Sequence, residues 1–168
     1  MVRNIYIQGL FVLYLAYASV MLFFYPDNWQ LIKNVNLIFH EAGHMIMMLF
    51  GSFVSLLGGT IFEIGVPAVV LFHFLRQQKY FAAGFGAWWL STALYSVSVY
   101  AADAQTQTLP LLGGNAVVHD WFTILSTIHL LQYDQFIGNL ILTFSILTFT
   151  YAGYLFYTEF TTYLPIAK

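Results

Sequence analysis

His40-Glu41-Ala42-Gly43-His44 puts two imidazoles and a carboxylate into little more than one helical turn. On a helix, residues i and i+4 share a face. Two imidazoles placed in this way can ligate one tetrahedral zinc ion. The acid beside the first histidine, Glu41, then stands near the fourth coordination position. There it can take a proton from bound water and return it to a leaving amine. Asn36 lies one turn earlier on the same face, so Asn36, His40 and His44 form a polar stripe. Asn36 can support a ligand or donate to an oxyanion, and a helix–helix hydrogen bond would use it equally well.

The rest of the chain is nearly free of charge. Of its 168 residues, 60% are hydrophobic and 20% aromatic, but only 7% are charged. An ordinary soluble domain carries about 25% charged residues. Five Lys/Arg and seven Asp/Glu cannot clothe a water-facing surface of this size, and the mean hydropathy of +0.76 agrees. A soluble globular enzyme is all but excluded, and an integral membrane protein is expected. The net charge of −2 offers no basic stripe to nucleic acid. Without cysteine there is no thiolate chemistry and no disulfide framework. Ionisable side chains at membrane depth are costly and mark function by default.

Apolar stretches at 5–25, 29–50, 60–75, 80–102 and 135–158 predict the spans. The first is too long for a signal-peptide core and no cleavage site follows it, so it reads as retained. Pro26 ends the first helix, and Asp27 or Asn28 caps the second. Residues 51–59 read as a loop or short extended piece, and the third span is interrupted by Gly65 and Pro67. Residues 103–118 are polar, with Pro110 and Gly113-Gly114. Residues 119–132 are helical but too short to cross. The expected architecture is one all-α membrane domain over 1–168. It is a polytopic bundle of about five transmembrane helices plus a short re-entrant or interfacial helix.

Alternating the spans puts Lys33, Arg76, Lys79 and Lys168 on one side and Arg3 on the other. By the positive-inside rule the first side is cytoplasmic, and a full crossing by 119–132 would narrow that margin to three against two. The expected location is the cell (inner) membrane. The histidine motif, Asp103, His119 and Asp120 then share the opposite half of the bundle. A catalytic zinc takes three protein ligands plus water. His119 is the preferred third ligand, with Asp120 beside it in support, and Asp103 or Asp120 is the alternative. Glu63, inside the third span, is either protonated or paired within the site. His73 and His129 read as interfacial. Trp88 and Trp89 lie inside the fourth span, the abundance of tyrosine and tryptophan fits aromatic belts, and Met45, Met47 and Met48 read as packing.

With Phe39-His40-Glu41-Ala42-Gly43-His44 in an apolar helix, followed by Gly51 and Gly58-Gly59, the chain resembles the site-2 protease family of intramembrane zinc metallopeptidases. The order of elements is also similar over residues 30–120. Tyr100-Ala101-Ala102-Asp103-Ala104, Leu109-Pro110-Leu111-Leu112-Gly113-Gly114 and His119-Asp120-Trp121 resemble a small bacterial subgroup of such proteins. The resemblance implies zinc ligation by His40 and His44, with Glu41 as general base. The family's third ligand is usually the Asp of an Asp-Gly pair, whereas here Asp103 precedes Ala104 and Asp120 precedes Trp121. The expected function is zinc-dependent hydrolysis of peptide bonds in or near the bilayer, with membrane lipids as surroundings and a membrane protein or peptide as substrate. The alternatives are a non-peptidase metal hydrolase acting on lipid or another amide, and a non-catalytic metal-binding membrane protein such as a transporter or scaffold.

Overall fold

The computed structural model describes residues 5–25, 28, 30–110 and 118–163, all helix or connection with no strand among them. Six α-helices follow in order: α1 (Ile5–Phe24), α2 (Leu31–Met47), α3 (Ser52–Arg76), α4 (Tyr80–Ala102), α5 (Asp120–Thr127) and α6 (Asp134–Tyr163). Short 3-10 turns at Met48–Phe50 and Leu131–Tyr133 precede α3 and α6. The expected roles of Pro26, Asp27, Gly113, Gly114, Arg3 and Lys168 fall outside the described residues. The N-cap of α2 is Gln30, which gives no side-chain cap, so Asn28 does not serve in that place.

Two expectations are corrected around α3. Residues 52–59 are helix rather than loop, because only Gly51, at φ 101°, breaks the chain between α2 and α3. Gly58 and Gly59 serve close packing instead of a turn. A Cβ on Gly43 would overlap the Gly58 carbonyl, and one on Gly58 would meet the Gly43 carbonyl. Such backbone-to-backbone approach needs small residues on both helices. The helix also continues through Gly65 and Pro67 to Arg76. Pro67 lacks an N–H, so the Glu63 carbonyl loses its usual helical donor.

Contacts between the helices give their directions. His40 meets Glu63 while His44 meets Ser55, so α2 and α3 are antiparallel. The turn at Gln77–Lys79 folds α4 back along α3, with Gly86 against Leu71. Gly84 packs on Phe156, Ser91 accepts from Ser145, and Ala102 packs on Gly138, so α6 runs against α4. Phe11 meets Phe81 and Phe85, Ser19 meets Trp88, and Phe23 meets Tyr95, so α1 runs with α4 and therefore with α2. The strict alternation behind the expected sorting of cations therefore fails at its first step. The short α5, eight residues or about 12 Å, does not cross the bundle.

Among the described residues, three helices are long and apolar enough to cross a membrane: α1, α3 and the stretch Leu131–Thr162, which takes in nearly all of α6. Of the other two expected spans, α2 has 17 residues and a polar stripe, and α4 has 23. Helix α4 is the centre of the fold, with Ala83, Ala87, Ala93 and Ala101 fully buried. Polarity is arranged inside out. Asn36, His40, Glu63, Asp103, His119, Asp120 and Asp134 are buried, whereas Leu13, Val69, Phe144, Leu147 and Tyr157 are exposed. Monomeric soluble proteins rarely show such apolar surface.

Gly43→Ala is expected to destabilise the protein by about 1–3 kcal/mol, by overpacking where α2 touches α3. Gly153→Ala, at a glycine with nothing within 4 Å, should be neutral or slightly stabilising. Thermal unfolding in detergent, comparing the two variants with the parent, checks this.

Candidate metal centre

His40 and His44 project from α2 toward α3 and α5, and each ring is fixed through its Nδ1. His40 Nδ1 lies 3.0 Å from Glu63 Oε2, and Glu63 is buried. His44 Nδ1–H donates to the Ser55 carbonyl at 2.8 Å, and the Ser55 hydroxyl donates back to the His44 carbonyl at 2.9 Å. A carbonyl only accepts, so the His44 proton must be on Nδ1. An ionised Glu63 makes the same demand of His40. Both Nε2 atoms are left with outward lone pairs.

Those lone pairs meet a carboxylate. Asp120 Oδ2 lies 3.0 Å from His40 Nε2 and 3.0 Å from His44 Nε2. One ligand atom from each of the three residues falls within 4.8 Å of the others. Neutral imidazole nitrogens and a carboxylate oxygen are all acceptors and repel one another unless a cation lies among them. A single proton bridges one of the two contacts, whereas a metal ion satisfies both. Ligands about 2.0–2.1 Å from a tetrahedral ion stand about 3.3 Å apart, within a few tenths of an ångström of the observed separations. Gly59 leaves the space open: a Cβ there would lie 2.6 Å from His40 Nε2 and 2.7 Å from His44 Nε2. The residues present therefore fit a metal ion. His40 and Asp120 are buried and His44 partly so, and both imidazoles have acceptor partners behind them, an arrangement that fixes tautomer and ring orientation at metal sites.

The third position corrects the preferred reading. His119 is not brought to His40 and His44; Asp120, the alternative, is. His119 is the N-cap of α5, where its Nδ1 accepts from the Phe122 N–H, and its Nε2 faces Asp103 Oδ2 at 3.5 Å. Adjacent residues at a helix start point in different directions, so His119 and Asp120 cannot both face α2. Asp103 is committed elsewhere. It caps the end of α4 and accepts from the Thr106 and Thr108 hydroxyls and from the Thr108 and Leu109 amides. Burial alone would raise its pKa, but the hydrogen bonds from Thr106, Leu109 and Thr108 pull it down to about 2. This clasp is fully formed above the ordinary carboxylate value and is lost as pH falls toward 2.

Asn36 proves to be a helix–helix link. Its Oδ1 accepts from Trp89 Nε1–H at 2.9 Å, and its amide donates to Thr92 at 3.5 Å. Glu41 is exposed, with its charge within electrostatic range of the Tyr100 hydroxyl. His73 pairs with Gln77, and His129 is exposed. Among the described residues neither joins the group. Two residues given no role from sequence are structurally important: Ser55 and Tyr100. The Tyr100 hydroxyl accepts the Asp120 N–H at 3.1 Å, and its ring packs on His119, 4.3 Å between centroids. Nothing separates Tyr100 from the other eleven tyrosines in the sequence, and Ser55 holds the His44 ring through its backbone carbonyl, which any residue type would supply.

Comparison with protein families, with curated proteins and with solved structures finds no match to this chain.

If the group holds a metal, with zinc as the probe, Asp120→Ala and Gly59→Ala should each weaken its binding by about 100-fold or more, the first by removing a ligand and the second by filling the ion's place. Glu63→Gln and Tyr100→Phe should weaken it about 10–100-fold, and His119→Gln should retain it within a few fold. Chelator competition on the purified protein ranks the variants. Loss of binding in His119→Gln with retention in Asp120→Ala would reverse the assignment.

Proposed function

We propose that this chain is a multi-pass membrane protein that uses a zinc ion held by His40, His44 and Asp120 to hydrolyse peptide bonds in or near the bilayer. The observation that carries the reading is the convergence of both Nε2 atoms on Asp120 Oδ2 at 3.0 Å, beside the open face of Gly59. The membrane part is supported by three helices of crossing length and by exposed apolar side chains around a polar interior. The similarity of the His40–His44 segment to site-2 proteases points the same way.

Bound zinc would supply a Lewis acid for a substrate carbonyl and a water of lowered pKa. The chain's own residues do the rest. Glu63 and the Ser55 carbonyl keep each imidazole in the tautomer that presents Nε2. Tyr100 steadies Asp120 through its backbone N–H. Glu41 makes no hydrogen bond among the described residues and is exposed, so it is free to collect a proton and pass it to the departing amine. It is adjacent to His40, as a general base beside a zinc ligand must be. Buried His40 and partly buried His44 keep the chemistry away from bulk solvent, which strengthens every electrostatic contact within it.

Glu41→Gln should bind zinc like the parent and cleave a model transmembrane peptide at least about 100-fold more slowly, the range for loss of a general base. Cleavage is followed in proteoliposomes by mass spectrometry. Equal turnover by parent and variant would exclude Glu41 from the mechanism. Turnover of an ester or acyl-amide lipid in place of the peptide, lost in the same variant, would move the assignment to the lipid hydrolase alternative.

A further inference from the structure

Helix α1 buries only Leu15, Ser19 and Leu22, and the space it leaves is substantial. Between α1, α2 and α4 lies a cavity of about 530 Å³. That is several times the roughly 150 Å³ known to stay empty in an apolar interior, and it falls within the size range of ligand pockets. Most of the wall is hydrocarbon and aromatic ring, including Phe11, Ala18, Val35, Phe85 and Trp88. Gln30 is the one carboxamide in it. Its Oε1 and Nε2 are both sealed from solvent, and neither has a hydrogen-bond partner among the described residues. An amide left in this state is costly, so it marks a place where a partner belongs.

Length and position narrow the choice of partner. The cavity follows α1 from Phe11 to Met21, about 15 Å along the helix, or half the roughly 30 Å hydrocarbon core of a bilayer. Gln30 stands at the start of α2, which runs with α4. The amide therefore lies toward the end of the bundle where α4 begins, the end that also carries the exposed Gln77–Lys79 turn. A slot one leaflet deep, apolar along its length with an amide at its outer end, has the chemistry of a lipid tail and its linkage. We propose that this cleft binds one acyl chain of a phospholipid, with the ester carbonyl accepting from Gln30 Nε2 and a headgroup or interfacial donor reaching Oε1. The occupied cleft seals α1 onto the bundle. This inference rests on the membrane reading and is independent of the peptidase reading.

The test uses full-length protein in phospholipid vesicles containing a trace of phosphatidylcholine with a diazirine in one acyl chain, with adducts mapped by mass spectrometry. Adducts should concentrate on residues 30–35 and 85–89 over the exposed Phe144–Leu147 face of α6. Ala18→Phe, which narrows the cleft, should reduce the cleft adducts about fivefold or more and leave those on α6 unchanged. Gln30→Leu should reduce them about five- to tenfold, the loss of one buried hydrogen bond. The α6 adducts report correct insertion of each variant, and Val35→Phe replaces Ala18→Phe if that pattern is disturbed. Cleft labelling no stronger than on α6, or unchanged in both variants, overturns the proposal. Absence of labelling on both faces overturns the membrane reading and this inference with it.

Discussion

Two imidazole nitrogens with their lone pairs turned toward one carboxylate oxygen, inside an apolar bundle, are the constraint around which the other elements are arranged. Each His ring turns about a flexible side chain, and neither would keep its Nε2 inward unaided. Glu63 and the Ser55 carbonyl hold them by Nδ1, and both come from α3. Helix α3 must therefore lie close enough to α2 for short side chains and bare backbone to reach. Gly43, Gly58 and Gly59 permit that approach, and a Cβ at any of the three would either separate the helices or fill the site. The same contact thus supports packing and chemistry, so stability and metal affinity are coupled at these glycines.

The second half of the site comes from far along the chain. Asp120 is 80 residues from His40 and enters on an eight-residue helix whose first turn is the functional part. Two side chains hold this entry in place. His119 caps the helix start, and Tyr100 from α4 takes the Asp120 N–H. Asp103 folds the chain after α4 by accepting four hydrogen bonds from Thr106, Thr108 and Leu109. Around the site, His40, His44 and Asp120 face one another and Glu63, Ser55, His119 and Tyr100 fix them, while Asn36 and Asp134 tie other parts of the fold together. Most acids and histidines near the site are thereby given a partner, as polar groups removed from water require.

The all-helical fold was readable because the apolar runs are long and carry few charges, and His40 and His44 because an i, i+4 pair defines its own geometry. What the sequence concealed depends on tertiary contact. Gly58-Gly59 looks like a turn and is instead a helix contact, since local propensity carries no record of a neighbouring backbone. His119 and Asp120 are adjacent, and only the direction in which α5 starts decides which of them faces α2. Glu63 was visible as an acid in an apolar stretch, but its partner on α2 was not. The running of α1 alongside α2 has no signature in hydropathy. A short connection suggests an antiparallel pair, and the aromatic contacts from Phe11 to Phe23 overrule that expectation.

The central claim is a ligand set, and X-ray absorption at the zinc edge of the zinc-loaded protein, compared with Asp120→Ala and His119→Gln, reads it directly. The account predicts two imidazole nitrogens and oxygen ligands at about 2.0–2.2 Å in the parent, an unchanged spectrum for His119→Gln and an altered one for Asp120→Ala. A parent spectrum without two imidazoles, or one altered by His119→Gln and indifferent to Asp120→Ala, would contradict it.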